Sequence, residues 1–324
     1  MLMLGLQGSP RKKGNTNFLL STFMQAAAQK GASTQIIQVA ERNILPCKEY
    51  VVCERKGTCP IDDDMAADIY GLLRQAEVVV LATPIFFYNM TSQLKALVDR
   101  CQTFWARKYR LKLSDPLKST RRGFLLGVAA TRGKTLFEGL QLTTKYFFDA
   151  IDARFEGSLL YRGIEGPKEM ANHPAVREEV EQAVAALMAH YTPRRRVLFL
   201  CRQNACRSQM AGAFAQHLAG SRLDVATGGS EPAETINPGM ATVMAEIGID
   251  MGFRKPQGID AALAQVAPDT IITMGCGDHC PVVPGADRRN WDLPDPAGQP
   301  VEVMRRARDE IELRVKELIG AIAP

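Results

Sequence analysis

A cysteine and an arginine six positions apart, Cys201 and Arg207, have the spacing of a nucleophile and a guanidinium in an oxyanion-binding loop. The apolar run Val197–Leu200 precedes the cysteine and a helix-forming segment begins at Ser208, so the pattern predicts a strand, a tight loop and a helix N-terminus. Loop N–H groups, the helix dipole and one arginine together hold a tetrahedral oxyanion. The same positive field favours a thiolate, so we expect Cys201 to be a nucleophile. A buried thiol that only packs is the alternative.

Residues that could complete this chemistry lie further along the chain. Cys276 and Cys280 follow a predicted strand, Thr270–Met274, at whose end a thiol could reach the loop. A phosphatase needs one cysteine, an arginine and an acid, whereas a reductase must also supply two electrons, which further thiols can provide. A zinc half-site or simple packing is the alternative role of this pair. Asp292 and Asp295 lie in a proline-rich loop, and either could be the acid.

Residues 195–322 resemble the thioredoxin-coupled arsenate reductases, which share the fold of the low-molecular-weight tyrosine phosphatases. The matching motifs are Cys201-x-x-Asn204-x-Cys206-Arg207-Ser208-Gln209-Met210-Ala211, Gly275-Cys276-Gly277-Asp278-x-Cys280-Pro281 and Trp291-x-x-x-Asp295-Pro296-Ala297. Asp295 is preferred to Asp292 as the acid because Pro-Ala follows it, as in that family.

The resemblance implies three nucleophilic cysteines. Cys201 attacks arsenate, Arg207 holds the oxyanion, and Asp295 protonates the leaving oxygen. Cys276 then attacks Cys201, releasing arsenite, and Cys280 displaces Cys201 to leave a Cys276–Cys280 disulfide. The loop residues implied to bind or orient the oxyanion are Asn204, Ala205, Cys206 and Ser208.

A second anion-binding pattern lies at the N-terminus. An apolar strand over residues 2–8 precedes a polar loop, and a helix is predicted over Phe18–Gln29 with Thr16 or Asn17 as its N-cap. Five predicted strands alternate with five helices up to residue 190, which indicates a doubly wound parallel sheet. Three predicted strands and four helices after residue 194 indicate a second α/β domain. Ligands of such sheets bind at the carboxyl ends of the strands.

Residues 1–190 resemble the NADPH-dependent FMN reductases and iron–sulfur flavoproteins of the flavodoxin-like superfamily. The motifs are Gly8-Ser9-Pro10-Arg11-x-x-Gly14-Asn15-Thr16 and Thr83-Pro84-Ile85-Phe86 followed by Gln93-Leu94-Lys95 and Asp99-Arg100. The resemblance implies FMN as cofactor and NADPH or NADH as electron donor. The residues implied to hold the FMN phosphate are Ser9, Arg11, Asn15, Thr16 and Asn17. Those implied to line the flavin ring are Pro84, Ile85, Phe86, Phe87, Tyr88, Asn89, Thr131, Arg132 and Gly133.

Three early cysteines, Cys47, Cys53 and Cys59, lie where the iron–sulfur flavoproteins carry four. Tyr50 replaces the second of the four, and a [4Fe–4S] cluster usually requires four thiolates. We therefore expect no metal cluster at this degenerate site. A redox disulfide or inert thiols are the alternatives.

Composition places the chain among globular proteins with two domains. It has 324 residues and a net charge of +5, which comes from residues 1–193, and no apolar run of the roughly 20 residues that a membrane span needs. Pro193 and three arginines form a polar hinge, so we place the domains at 1–193 and 194–324. We expect a cytoplasmic homodimer or larger assembly that binds neither nucleic acid nor membrane.

The two resemblances together suggest one electron path. We hypothesise that a nicotinamide cofactor reduces FMN and that electrons then reach the Cys276–Cys280 disulfide, which would serve arsenic detoxification. Two independent activities with thioredoxin as reductant are the main alternative. A tyrosine phosphatase fused to a flavoprotein, and a non-enzymatic binding module, are the others.

Overall fold

The computed structural model describes residues 1–191, 193–275 and 281–322. The chain forms two compact units. The first unit comprises Met1–Lys112 and Thr120–His190, and the second comprises Leu113–Ser119 and Tyr191–Pro324. None of the helices in these described ranges is long and apolar enough to cross a membrane.

The first unit contains a five-stranded parallel sheet in the order β2-β1-β3-β4-β5. Its strands are β1 Leu2–Gln7, β2 Ser33–Gln38, β3 Val78–Pro84, β4 Arg122–Ala129 and β5 Arg154–Arg162. The apolar runs form the central strands because helices cover both faces of a parallel sheet. This order brings the carboxyl ends of β1, β3 and β4 side by side, and the prediction of a doubly wound parallel sheet is confirmed.

Helices flank this sheet, and two short ones, at Val52–Lys56 and Glu169–Asn172, were not predicted from the sequence. The helices are α1 Asn15–Gln29, α2 Val52–Lys56, α3 Tyr70–Gln75, α4 Ser92–Arg100, α5 Gln102–Tyr109, α6 Glu138–Ala150, α7 Glu169–Asn172 and α8 Val176–Met188, with a π-helical turn at Met65–Ile69. The helix predicted over Ser92–Arg107 is two helices that meet at Cys101. The N-cap of α1 is Gly14, not Thr16 or Asn17, because both lie within the first helical turn.

The second unit contains a four-stranded parallel sheet in the order β7-β6-β8-β9. Its strands are β6 Arg195–Cys201, β7 Leu223–Gly229, β8 Thr270–Met274 and β9 Asp287–Asn290. Its helices are α9 Arg207–Ala219, α10 Pro238–Glu246, α11 Ile259–Gln265 and α12 Val301–Ile322. Strand β9 was not predicted because all four of its residues are polar and exposed, so it has no apolar pattern. The second α/β domain is confirmed.

A short segment between α5 and β4 belongs to the second unit. Ser114 donates its backbone N–H to Gly248 at 2.7 Å and accepts one from Asp250 at 2.9 Å. The single boundary predicted at Pro193 therefore does not describe the whole division, because Leu113–Ser119 packs with residues far along the chain.

Candidate functional site

Strand β6 positions the predicted nucleophile. Cys201 is the last residue of β6, and only 3% of its surface is exposed. Its Sγ lies 3.0 Å from Ser208 Oγ in the first turn of α9. Ser208 Oγ accepts a hydrogen bond from Asn204 Nδ2 at 2.7 Å, so its own hydrogen is free to be donated to the sulfur. The strand end and the helix start thus meet at the cysteine.

The loop between Cys201 and Arg207 turns its carbonyl groups away from its centre. Three of these carbonyls accept hydrogen bonds from backbone N–H groups further along the chain: Glu231 donates to Arg202 O at 2.8 Å, Ala233 to Gln203 O at 3.0 Å, and Asn237 to Ala205 O at 2.9 Å. Among the described residues, none accepts a hydrogen bond from the N–H groups of 203–206. These amides can therefore bind an oxyanion, together with the N-terminus of α9.

A glycine in β7 allows this tight loop. A Cβ atom at Gly229 would lie 2.7 Å from Arg202 O and Asn204 N, which is closer than side chains tolerate. Any larger residue would displace the loop between Cys201 and Arg207, so its shape depends on this close approach of two backbone segments.

Asn204 holds the loop from inside. Its φ of 50° is left-handed, a conformation that costs most residues about 1–2 kcal/mol. Its buried side chain offsets this cost by donating to Ser208 and by accepting from Gln209 Nε2 at 3.1 Å and from the backbone N–H of Gln257 at 2.9 Å. No sequence pattern indicates a role for Gln257, because only the fold brings it to the loop.

Arg207 and Asp295 form an ion pair at the entrance to the loop. Arg207 Nη2 lies 2.6 Å from Asp295 Oδ2, and Arg207 Nη1 donates to Leu293 O at 2.9 Å. The arginine is buried, whereas 47% of the aspartate side chain is exposed. The alternative acid, Asp292, is exposed, and in the part of the chain that the structure describes it contacts neither Arg207 nor Cys201 through a hydrogen bond or ion pair.

Cys206 directs its sulfur away from the loop. Its buried Sγ donates to Met304 Sδ in α12 at 3.4 Å. Burial, reinforced by the charge of Cys201 nearby, raises the pKa of the Cys206 thiol well above its ordinary value. The side chain therefore packs as a neutral thiol, and only the backbone N–H of Cys206 faces the predicted oxyanion position.

The predicted resolving cysteines, Cys276 and Cys280, lie outside the described residues. Gly275, the residue directly before them, is described. It follows the last residue of β8 and has a left-handed φ of 73°. A Cβ atom at Gly275 would lie 3.1 Å from Arg207 Nη1. Gly275, the last described residue before the two cysteines, therefore lies directly beside the arginine.

The N-terminus of α1 fits a phosphate group. Gly14 caps the helix without a side chain, and within the described residues no partner accepts from the backbone N–H groups of 12–17. Ser9 donates its N–H to Gln7 Oε1 at 2.8 Å, and its Oγ accepts from Arg11 N at 3.2 Å. The loop is thus preformed, with six amides available for an anion.

The predicted phosphate ligands differ in availability. Thr16 is buried in the first turn, Asn17 is half-buried, and Arg11 is exposed. Asn15 instead binds the loop after β5, donating to Gly166 O at 2.9 Å and accepting from Met170 N at 3.1 Å. Its side chain is therefore occupied within the protein, and its backbone N–H is the group that faces an anion.

Residues after β3 form a tight hairpin whose tip is aromatic. Phe86 and Asn89 exchange backbone hydrogen bonds at 2.9 and 3.0 Å, so Phe87 and Tyr88 are the two turn residues. Both have positive φ, 47° and 62°, in a turn that normally contains Asn-Gly. Phe87 is fully exposed, and Phe86 and Tyr88 are half-exposed. Pro84 and Ile85 are half-buried at its base.

The third predicted flavin-contacting segment lies at the end of β4, next to β3 in the sheet. Thr131, Arg132 and Gly133 are all exposed, and Thr131 O accepts the N–H of Gly163 at 3.2 Å. A Cβ atom at Gly133 would lie 3.8 Å from the Tyr88 hydroxyl. The phosphate loop, the aromatic hairpin and this segment therefore share one edge of the first sheet, which is the edge where sheets of this kind bind their ligands.

The three early cysteines are all at least partly exposed to solvent. Cys47 is exposed, and Cys53 and Cys59 are half-buried. Within residues 1–191, 193–275 and 281–322 no group of three or more His, Cys, Asp or Glu side chains is arranged to hold a metal ion. Tyr50 also supplies no thiolate, so the residues present do not fit an iron–sulfur cluster.

Family models match both parts of the chain. The family described as NADPH-dependent FMN reductase matches residues 1–131, and the family described as low molecular weight phosphotyrosine protein phosphatase matches residues 196–323. The first family points to a flavin and a nicotinamide nucleotide as ligands.

Individual relatives fall into the same two groups. An arsenate reductase from Halalkalibacterium halodurans is 41% identical over 130 residues, which are 37% of this chain and 91% of that protein. A glutaredoxin arsenate reductase from Synechocystis sp. is 34% identical over 131 residues, 40% of this chain and 99% of that protein. An iron-sulfur flavoprotein from Methanocaldococcus jannaschii is 36% identical over 100 residues, 31% of this chain and 51% of that protein. The chain therefore spans about half the length of the flavoprotein.

Both resemblances inferred from the motifs are confirmed by these matches. An FMN reductase domain is followed by a domain that is similar to arsenate reductases over nearly their whole length. The chain belongs to the arsenate reductase family of oxidoreductases.

Proposed function

We propose that the second unit reduces arsenate to arsenite with Cys201 as the nucleophile. The observation that carries this proposal is the loop itself, whose N–H groups at 203–206 are without partners among the described residues and surround the buried sulfur. Arg207 adds a guanidinium, which suits a tetrahedral oxyanion because its donors match two oxygens at once.

The proposed reaction consumes two thiols for each arsenate. The Cys201 thiolate attacks arsenic, and an oxygen leaves as water after Asp295 supplies a proton. The Cys276 thiolate then attacks Cys201 Sγ, a disulfide forms, and the electron pair of the broken S–As bond stays on arsenic, which leaves as arsenite. Cys280 displaces Cys201 from this disulfide, so that Cys201 is a free thiolate again and Cys276–Cys280 holds the oxidising equivalents. The position of Gly275 beside Arg207 supports the approach of Cys276 to the loop.

Trapping the intermediate disulfide tests this order of events. In the full chain with Cys280→Ser, one round of arsenate reduction should leave a Cys201–Cys276 disulfide, which peptide mapping detects. Cys206→Ala is the matched control, and it should keep arsenite release within about twofold because its sulfur packs against Met304. A Cys201–Cys206 disulfide, or arsenite release by Cys201→Ser, would contradict the proposal.

We propose that the first unit binds FMN and oxidises NADPH. The N-terminus of α1 and Ser9, Arg11, Thr16 and Asn17 would hold the FMN phosphate, with Asn15 contributing its backbone N–H. The aromatic hairpin 84–89 and residues 131–133 would line the flavin ring. FMN, when bound, accepts a hydride from a nicotinamide and passes electrons to an acceptor.

We further propose that NADPH oxidation by the first unit supplies the electrons that reduce the Cys276–Cys280 disulfide. Covalent linkage supports this, because a short linker gives an effective concentration in the millimolar range. A separate protein reductant is the runner-up, since the Synechocystis relative is named a glutaredoxin arsenate reductase. The full chain with FMN, NADPH and excess arsenate should release several arsenites without added thioredoxin or glutaredoxin. A stop at one arsenite per chain, relieved by thioredoxin, would establish the runner-up.

A phosphatase is the second candidate, because the matching family model is named for phosphotyrosine phosphatases. The same loop would accept an aryl phosphate. Under this candidate, Cys276→Ser retains full turnover of an aryl phosphate and the unmodified chain releases no arsenite. Under the arsenate reductase proposal, Cys276→Ser releases no arsenite.

A further inference from the structure

A cavity of about 660 Å³ opens in the second unit at the sheet edge opposite to Cys201. Arg195 begins β6 and Cys201 ends it, so the cavity and the cysteine are about 20 Å apart along the strand. The starts of all four strands contribute to its walls. Its lining includes Arg195, Arg222, Leu223, Asp269, Asp287 and Ile319.

Positive charge is in excess in this cavity. Asp269 is paired with Arg196 at 2.6 Å, and Asp287 with Arg289 at 2.8 Å, so both lining carboxylates are neutralised. Neither Arg195 nor Arg222 forms a side-chain hydrogen bond or ion pair among the described residues, although the charge of Arg195 acts on Asp269 from a distance. The backbone N–H of Arg195 donates to Arg222 O at 2.9 Å, which keeps these two residues next to each other.

Apolar groups line the same cavity. Leu223 and Ala219 are buried, and Ile319 of α12 is half-buried where it packs against the core. Ligand cavities of roughly 300–1,000 Å³ combine such an apolar wall with a few charged groups that fix orientation. An inorganic anion would use the arginines and leave the apolar wall exposed to water.

We infer that this cavity binds an organic phosphate of the size of a mononucleotide. The phosphate lies on Arg195 and Arg222, because both residues line the cavity and each guanidinium group offers the paired donors that phosphate oxygens accept. The apolar part of the ligand lies against Leu223 and Ile319. This site is separate from the proposed oxyanion loop and does not depend on the reaction proposed there.

Photolabelling with 8-azido-ADP tests the inference on the full chain saturated with FMN. We expect crosslinks in the peptides around residues 219–223 or 319–321, prevented by ADP and not by arsenate. Inorganic phosphate should compete at least about tenfold less strongly than ADP. The double variant Arg195→Gln with Arg222→Gln should lose at least about 90% of this label. The matched control, Arg288→Gln, changes an exposed arginine of β9 outside the lining and should keep the label.

Three results would overturn the inference. Label confined to the first unit, or unchanged in the double variant, would show that the arginines bind no nucleotide. Competition by arsenate would place ADP in the Cys201 loop instead. Equal competition by inorganic phosphate would show that the apolar wall contributes nothing to binding. Single-turnover arsenite release by the double variant should equal that of the unmodified chain, so a failure of the proposed reaction is recognised separately.

Discussion

At the scale of single residues, the candidate active site depends on side chains that hold the backbone rather than touch the substrate. Asn204 is fully buried in a left-handed conformation, and its amide oxygen accepts two hydrogen bonds. Gln209 supplies one of them and is itself 2% exposed. We therefore assign Gln209 as a positioning residue for the loop.

Replacing Gln209 by methionine should weaken arsenate binding. The variant keeps the side-chain volume but removes the buried hydrogen bond to Asn204, together with longer ones to Lys255 O and from Arg254. A loss of about 1–2 kcal/mol at the loop should lower kcat/KM about fivefold to thirtyfold. Because the loop amides bind the oxyanion, KM should rise with the inhibition constant of phosphate while kcat changes little. Gln182→Met, on an exposed face of α8, is the control and should leave both constants unchanged. A loss confined to kcat would contradict the positioning role.

At the scale of elements, the loops at the strand ends contain the candidate site residues, and some of these residues have strained backbone conformations. The hairpin after β3 places Phe87 and Tyr88 in left-handed conformations although asparagine and glycine suit such a turn better. Its contact with α6 is close, since a Cβ atom at Gly139 would lie 2.8 Å from Tyr88 O. Phe87 and Tyr88 are therefore not the residues that would stabilise this turn best.

Exchanging the hairpin tip for Asn-Gly separates the stability of the turn from flavin binding. Phe87→Asn with Tyr88→Gly should stabilise the flavin-free chain by about 1–2 kcal/mol, because the left-handed cost disappears. The melting temperature should rise by about 2–6 °C, while FMN affinity falls at least about tenfold. Lys112→Gly, at another left-handed residue, should raise stability without changing FMN affinity. Unchanged FMN affinity in the hairpin variant would show that the hairpin does not line the flavin.

A buried ion pair fixes the segment that carries the early cysteines. Arg100 and Asp63 have no exposed side-chain surface and form two hydrogen bonds, at 2.5 and 3.1 Å. Burial alone would raise the pKa of Asp63, but the Arg100 guanidinium and the backbone N–H groups of Leu45 and Met65 hold it below its usual range. Both ends of the segment 45–63 are thereby attached to α4.

Replacing Asp63 by asparagine should destabilise the first unit by about 3–5 kcal/mol at pH 7, because Arg100 is left buried and unpaired. Because the pKa of Asp63 is lower in the folded state, its ionised carboxylate stabilises the fold at pH values above its unfolded pKa of about 4. This contribution is lost as the pH falls through the folded pKa. The difference between the two proteins in urea unfolding should therefore be constant from pH 8 to about pH 5 and shrink below pH 4. Asp99→Asn, which removes an exposed pair with Lys95, should cost less than about 1 kcal/mol. A difference that grows below pH 4 would contradict this account.

Sequence patterns predicted the helices and strands that bury apolar residues, and missed the features that depend on distant contacts. The strands of both sheets were predicted except β9, whose four residues are polar. The hydrogen bonds of the Asn15 side chain to residues 166 and 170 span 151 and 155 positions, so they too have no local sequence pattern. The contact of Gln257 with Asn204 spans 53 positions, so no local pattern could indicate it.

At the scale of the whole molecule, two α/β units of one chain resemble two different classes of oxidoreductase, and we propose that their reactions are complementary. The first matches the family described as NADPH-dependent FMN reductase, and the second has arsenate reductase relatives. We therefore propose that the second unit is the electron acceptor. Its own cysteines would then set how many thiols are oxidised for each arsenate reduced. That stoichiometry is the quantity that separates reduction from phosphate-ester hydrolysis in this fold.

Counting arsenite and thiols in a single turnover tests this account most directly. The fully reduced full chain, freed of external reductant and nicotinamide, is mixed with excess arsenate. We predict one arsenite and the loss of two thiols per chain, with the disulfide at Cys276–Cys280, and neither product from Cys201→Ser. Arsenate left unreduced with every thiol intact, while the same preparation hydrolyses an aryl phosphate, would contradict it.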